Sequence, residues 1–89
     1  MKGGKRMIAD EMRKRLAELQ PLRLEIIDES ENHRGHGGWR EGGETHFRIR
    51  MASARFAGLG RVARHRLVHA TLGDIVPRIH ALALELAEN

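Results

Sequence analysis

Two short stretches of this chain alternate between apolar and polar side chains, LRLEII at residues 22–27 and THFRIRM at residues 45–51. Successive side chains of a β-strand point to opposite faces, so each stretch predicts a half-buried strand with one charged face. Two such strands favour an antiparallel pair whose charged side meets water. We expect Glu25 to lie opposite an arginine on that side, in an exposed pair that adds little stability.

Helical spacing precedes and follows these strands. Apolar residues at steps of four, four and three predict an amphipathic helix over residues 5–19, namely Ile8, Met12, Leu16 and Leu19. SARFAGLGR at residues 53–61 indicates a short helical turn interrupted by glycines. RVARHRLVHATLGDI at residues 61–75 predicts a longer helix that ends at Gly73. Its inward side is expected to present Val62, either Arg66 or Leu67, Ala70 and Leu72.

The segment IHALALEL at residues 79–86 predicts a third strand. Glu85 shares its parity with positions 79, 81 and 83, so we expect that side to face solvent. His80, Leu82 and Leu84 then point towards the helices. The order helix–strand–strand–helix–helix–strand predicts an α+β domain in which the helices cover one face of a three-stranded sheet.

The connection between the first two strands is unusually long for so small a chain. DESENHRGHGGWREGGE, residues 28–44, holds five glycines and has no periodicity. Connections of this length in a compact domain are either functional or disordered. His33, His36 and Trp39 lie on it.

Composition narrows the chemistry. A chain of 89 residues with 40% hydrophobic and 31% charged residues suits one folded domain. It contains no cysteine, which excludes disulfides, thiol catalysis and cysteine metal ligands within the chain, and leaves histidine as the only soft ligand. With no apolar run of membrane-spanning length and no signal-peptide core at its start, we expect a cytoplasmic protein without a membrane partner. The net charge of +4 permits an anionic partner without requiring one.

Several motifs together resemble the BolA family. They are DESENH after the first strand, GGETHFRIRMASARFAGLGRVARHRLVHATLG, and IHALAL near the end. The resemblance covers about Ile8 to Leu84. It implies the αββααβ arrangement of a class II KH-like domain, which agrees with the order of elements above. We therefore expect a flexible N-terminus over residues 1–6 and a single BolA-like domain over residues 7–89.

The resemblance also implies a partner and a metal cluster. Proteins of this family work with monothiol glutaredoxins that carry a C-G-F-S motif, and a [2Fe–2S] cluster bridges the two proteins. A glutaredoxin cysteine and a glutathione thiolate hold one side. His80 corresponds to the family's C-terminal histidine ligand and His33 to its loop ligand, with His36 as an alternative to His33. No cluster is expected in the isolated chain, and whether that chain forms a homodimer stays open.

From spacing alone, each histidine has a simpler interpretation. A single histidine on an apolar strand face, such as His80, is more often a hydrogen-bonded core residue, and H-x-x-H in a loop is a weak metal signal. His65 and His69 lie four apart on one helix face without a supporting carboxylate. We interpret both, and His46, as structural or surface residues. Trp39 is either a partner anchor or a cover for the edge of the core.

A cluster of basic residues offers a second function. Four arginines lie on the predicted short helical turn and the longer helix that follows it, within residues 53–75. They are Arg55, Arg61, Arg64 and Arg66. Such a cluster can contact phosphates, and BolA-family members include DNA-binding transcriptional regulators, although a solvated helix face is the commoner outcome. The junction GLGRVA lacks the G-x-x-G loop with which KH domains bind RNA. No grouping of serine, histidine and carboxylate emerges, so we expect no enzymatic activity.

Overall fold

The computed structural model describes residues 7–33 and 43–89, with residues 32 and 33 described by their backbone alone. Two helices, α1 (Met7–Leu16) and α2 (Arg61–Leu72), accompany three strands, β1 (Arg23–Asp28), β2 (His46–Ala52) and β3 (Ala81–Ala87). Single-turn or short 3-10 segments link them at Ala17–Leu19, Ser30–His33, Ala54–Phe56 and Gly73–Arg78. The expected flexible N-terminus over residues 1–6 lies outside the described residues, as do His36 and Trp39. Neither α1 nor α2 is long and apolar enough to cross a membrane.

The three strands form one sheet in the order β1-β2-β3, with β2 in the centre. β1 pairs antiparallel with β2, as predicted, and β3 pairs parallel with β2. Glu25 lies opposite Arg50, and their Oε1 and Nη1 atoms are 3.6 Å apart. The predicted exposed ion pair between Glu25 and an arginine is therefore confirmed.

Both helices pack on one face of this sheet. The core contains Phe47, Ile49 and Met51 of β2. They are buried with the predicted apolar stripe of residues 5–19, which is Ile8, Met12, Leu16 and Leu19, and with Val68 and Leu72 of α2. On the opposite face Arg48 bonds Glu29 and Glu85, and Arg50 bonds Glu85. This confirms the α+β class and the arrangement of helices on one side.

The buried side of α2 differs from the prediction. Val62 is 62% exposed and Ala70 is exposed, whereas Val68 and Leu72 are fully buried and Leu67 is partly buried. The helix contacts the core through Val68 and Leu72, a row that continues into Ile75 and does not include Val62. The predicted short middle helix is a single 3-10 turn, Ala54–Phe56, which the buried Phe56 holds against the core.

The start of β3 also differs from the prediction. The 3-10 segment continues to Arg78, and Ile79 and His80 form a bend before the strand begins at Ala81. The strand alternation therefore does not extend to these two residues. Ile79 packs against the core instead of facing solvent, and His80 is exposed instead of facing the helices.

Ion pairs join α1 to the segment before β3. Arg78 donates two hydrogen bonds to the Glu11 carboxylate, at 2.7 and 3.0 Å. Arg15 donates to the Leu72 carbonyl at 2.6 Å and to Asp74 at 2.9 Å. The hydrogen bond from Arg78 lowers the pKa of Glu11, and the hydrogen bond from Arg15 lowers the pKa of Asp74. Both carboxylates are therefore better stabilised in the folded chain than in the unfolded chain.

The Glu11→Gln variant should be less stable than the wild type at neutral pH, and this difference should close in acid. Folding lowers the pKa of this carboxyl, so its charge stabilises the folded state when the pH is above its ordinary pKa of about 4.5. This contribution disappears as the pH falls through the lowered pKa. Urea unfolding at low salt, between about pH 7 and pH 2.5, measures the difference. Glu18→Gln, at an exposed position next to α1, is the matched control. A gap that does not depend on pH would contradict the prediction.

Candidate functional site

A carboxylate at the end of β1 closes the base of the long loop. Asp28 accepts hydrogen bonds from the backbone N–H of Ser30 at 2.9 Å and from the Ser30 hydroxyl. Its second oxygen accepts from the backbone N–H of Glu44, also at 2.9 Å. A charged acceptor strengthens each of these bonds. The residues that leave the sheet and those that return to it are therefore held by one side chain.

Ser30 extends this network to β2. Its buried hydroxyl oxygen lies within hydrogen-bonding distance of the Thr45 N–H (2.9 Å), the Thr45 hydroxyl (3.1 Å) and the His46 N–H (3.3 Å). The Thr45 hydroxyl is also 2.7 Å from Nδ1 of His46. Buried polar groups cost free energy unless they are paired, so the network is stable only while all its members are present.

The return of the loop requires unusual backbone geometry. Gly43 has φ +82°, and a Cβ at this position would stand 2.9 Å from a carboxylate oxygen of Asp28. Glu44 follows with φ +63°, and its carboxylate accepts from the N–H groups of Ile8 and Ala9 at 3.3 and 3.5 Å. These N–H groups belong to the first turn of α1, where the helix itself provides no acceptor. The end of the loop is thus tied to both β1 and α1.

The same network anchors the start of β3. The Thr45 carbonyl accepts hydrogen bonds from the N–H of His80 at 2.8 Å and of Ala81 at 3.2 Å. The imidazole of His80 lies against that of His46, with 5.1 Å between ring centroids and 52° between ring planes. His46 is 4% exposed, whereas His80 is exposed to solvent. The structure thus presents an exposed imidazole supported by a buried one.

The predicted loop ligands relate to this pair in different ways. His33 is the last residue of the 3-10 turn Ser30–His33, which begins at the buried Ser30, so its backbone starts from the same network. Its side chain, and the whole of His36, lie outside the described residues. The contact between His46 and His80 was not foreseen, because it depends on the parallel pairing that sets His46 beside Ala81. Within the described residues no three histidine, aspartate or glutamate side chains converge on one point.

The four predicted basic residues do not act as one cluster. Arg64 is directed back into the protein, where it donates to the carbonyls of Leu59 (2.9 Å) and Leu86 (3.5 Å) and pairs with Glu88 (3.3 Å). Arg61 and Arg66 are exposed on α2 and border a shallow depression of about 470 Å³, which Val62, His65 and His69 also line. Arg55 is exposed on the 3-10 turn Ala54–Phe56, away from this depression. Two of the four arginines therefore remain on one open helix face.

Replacing Ser30 by alanine should loosen the base of the loop. The change leaves the Thr45 and His46 amides without an acceptor and should cost roughly 1–3 kcal/mol of unfolding free energy. Hydrogen exchange should accelerate at those two amides more than in the rest of β2. Ser53→Ala is the matched control, because Ser53 is equally buried but bonds Leu19 and Arg55 instead. If the Thr45 and His46 amides exchange at the same rate in Ser30→Ala and Ser53→Ala, the role of Ser30 in holding the base of the loop is contradicted.

Known proteins are similar to this chain in both sequence and fold. The BolA-like protein family matches residues 16–89. The DNA-binding transcriptional regulator BolA of Vibrio cholerae is 48% identical over 80 residues, which are 88% of this chain and 72% of the relative. BolA1 from Arabidopsis thaliana is 38% identical, with a TM-score of 0.77 over 90% of this chain and 89% of that one. The BolA domain of SufE1 from Arabidopsis thaliana is 37% identical, with a TM-score of 0.78 over 99% and 95%.

The family match covers most of the chain, and the relatives cover the same region with the same fold. The names of these relatives are those of a transcriptional regulator and of BolA proteins or domains. This chain therefore belongs to the BolA-like protein family.

Proposed function

We propose that this chain binds a [2Fe–2S] cluster jointly with a monothiol glutaredoxin and glutathione, and acts in iron–sulfur cluster trafficking or iron homeostasis. The observation that carries the proposal is the exposed imidazole of His80, at the end of the sheet from which the histidine-bearing loop departs. His80 is proposed as one iron ligand and His33 as the second, with His36 as the alternative.

The chemistry of these residues suits a shared cluster. Neutral imidazole binds iron, and two histidines in place of two thiolates at one iron raise the potential of a [2Fe–2S] cluster. Among the described residues, no group of three histidine, aspartate or glutamate side chains could hold a metal ion, at His46 and His80 or elsewhere. Other ligands must therefore come from the loop and from a partner, as the glutaredoxin cysteine and the glutathione thiolate would provide. A cluster held in this way is cargo that both proteins contact.

His46 has a positioning role in this proposal. Its ring is buried, lies 2.7 Å through Nδ1 from the Thr45 hydroxyl, and packs against the ring of His80. The backbone of His80 is meanwhile fixed by the Thr45 carbonyl. Replacing a group that orients a metal ligand commonly changes metal affinity by about 10- to 100-fold.

The absence of enzymatic activity and the cytoplasmic location stay predictions.

The test is a titration of [2Fe–2S]-loaded C-G-F-S glutaredoxin with this protein, followed by visible circular dichroism. The wild-type spectrum should change and saturate at about one equivalent, and the change should be lost in His80→Gln because the ligand is removed. His33→Ala should weaken binding at least about tenfold. Acid should release the cluster from this protein, because a protonated imidazole cannot bind iron.

His69→Gln is the matched control, since it removes an exposed histidine from α2. It should behave like the wild type. An unchanged cluster spectrum in His80→Gln would refute the assignment of His80. If His36→Ala weakens binding and His33→Ala does not, His36 is the second ligand.

A second candidate function is DNA binding by the exposed face of α2. The specific observation is that Arg61 and Arg66 form no ion pair with any described residue and lie on a helix whose sequence contains no aspartate or glutamate. Arginines on such a face can neutralise phosphates and release their counterions. The relative from Vibrio cholerae is named as a DNA-binding transcriptional regulator. Arg64 has no part in this proposal because its guanidinium is engaged within the protein.

The double variant Arg61→Gln/Arg66→Gln should bind duplex DNA at least about tenfold more weakly than the wild type near 0.1 M salt. Losing two phosphate contacts should also reduce the slope of log affinity against log salt by up to about 1.8. Fluorescence anisotropy at several salt concentrations measures both quantities. Arg13→Gln/Arg23→Gln, which removes the same charge from exposed positions elsewhere, is the control. Equal weakening in both variants would show that only net charge matters.

A further inference from the structure

Histidines make up half of the ionisable side chains on the exposed face of α2. Arg61, His65 and His69 follow one another at steps of four residues, and Arg66 lies beside them on the same depression. Residues four apart on a helix are neighbours on its surface. The two arginines are charged at every physiological pH, whereas histidine changes its charge between about pH 5 and pH 8. The charge of this face therefore depends on pH.

The groups that face His65 belong to α2 and to the sheet. On α2 it stands between Arg61 and His69, next to Arg66. Towards the sheet it shares a second depression with Arg64 and Glu85. Glu85 accepts hydrogen bonds from Arg48 at 2.8 Å and from Arg50 at 3.0 Å, and Arg64 pairs with Glu88, so these charges are already compensated.

His69 has a different environment. It lies in the last turn of α2 and is exposed. Around both histidines, the uncompensated charges on the open side are thus the positive charges of Arg61 and Arg66.

We propose that α2 binds the phosphates of DNA more tightly as the pH falls from about 7.5 to 5.5, because binding protonates His65 and His69. This inference rests on the second candidate function above. By linkage, a ligand that binds the protonated form more tightly takes up protons when it binds. The protonated histidines raise the number of cationic side chains on this face from two to four, counting Arg61 and Arg66 with His65 and His69.

The proposed cluster site is separate, along β3, from the part of this face that carries Arg61 and His65. His80 precedes the strand, whereas Arg61 and His65 lie beside Leu84 and Leu86 in its second half. The six residues from Ala81 to Leu86 span roughly 16 Å of strand. Changes at His80 should therefore leave the pH response of α2 intact, which makes it possible to distinguish the two histidine pairs.

The experiment is fluorescence anisotropy with a labelled DNA duplex of about 20 base pairs, at about pH 7.5, 6.5 and 5.5, with the same series of salt concentrations at each pH. The wild-type affinity should rise roughly tenfold across this range, and the salt slope should steepen by up to about 1.8. His65→Gln/His69→Gln should gain less than about twofold in affinity between pH 7.5 and pH 5.5. His80→Gln, the matched control, should keep the full gain. Far-UV circular dichroism verifies that each variant is folded.

The outcomes separate this inference from the function on which it rests. If the wild type binds no DNA at any of the three pH values, both are overturned. If binding at pH 7.5 requires Arg61 and Arg66 but does not change with pH, the inference alone is overturned. It is likewise overturned if His65→Gln/His69→Gln keeps the full gain in acid, since other groups then take up the protons.

Discussion

The parallel pairing of β2 with β3 is the constraint on which the rest of this structure depends. Parallel neighbours cannot be joined by a tight turn, because the chain must return to the same end of the sheet before the second strand begins. Here the return passes through the 3-10 turn Ala54–Phe56, α2 and the segment Gly73–Arg78. This crossover buries Val68 and Leu72 against the sheet and delivers His80 beside His46. Both candidate sites are therefore products of one connection.

The end of the sheet where His80 lies is built from polar contacts. Asp28, Ser30 and Thr45 join the two ends of the long loop to the start of β3 through hydrogen bonds, and those of Ser30 to Thr45 are buried. An apolar cluster could close the sheet equally well but would not fix the direction of backbone groups. The polar network fixes where the loop begins and where His80 is exposed. This arrangement suits a site that a partner completes.

The two sides of α2 have different tasks. The side that includes Val68 and Leu72 is part of the core. Arg61, Arg66 and His69 are exposed, the half-buried His65 lies at the border of the core, and these four side chains line a shallow depression. Because Arg61, Arg66 and His69 are exposed, replacing them should alter binding with little effect on folding. Replacing Arg64 should instead affect the protein itself, since its guanidinium bonds the carbonyls of Leu59 and Leu86. The distinction matters for interpreting any arginine variant.

The sequence by itself determined α1, β1 and β2, because apolar spacing is a local property. The stripe of α1, the alternation of β1 and β2 and an ion pair between Glu25 and an arginine follow from periods of 3.6 and 2. The tertiary structure decided which side of α2 is buried, the bend that exposes His80, the contact between His46 and His80, and the internal bonds of Arg64. These depend on which strands pair and on where the crossover meets the sheet. No local pattern contains that information, because the residues concerned are brought together only when distant segments pack.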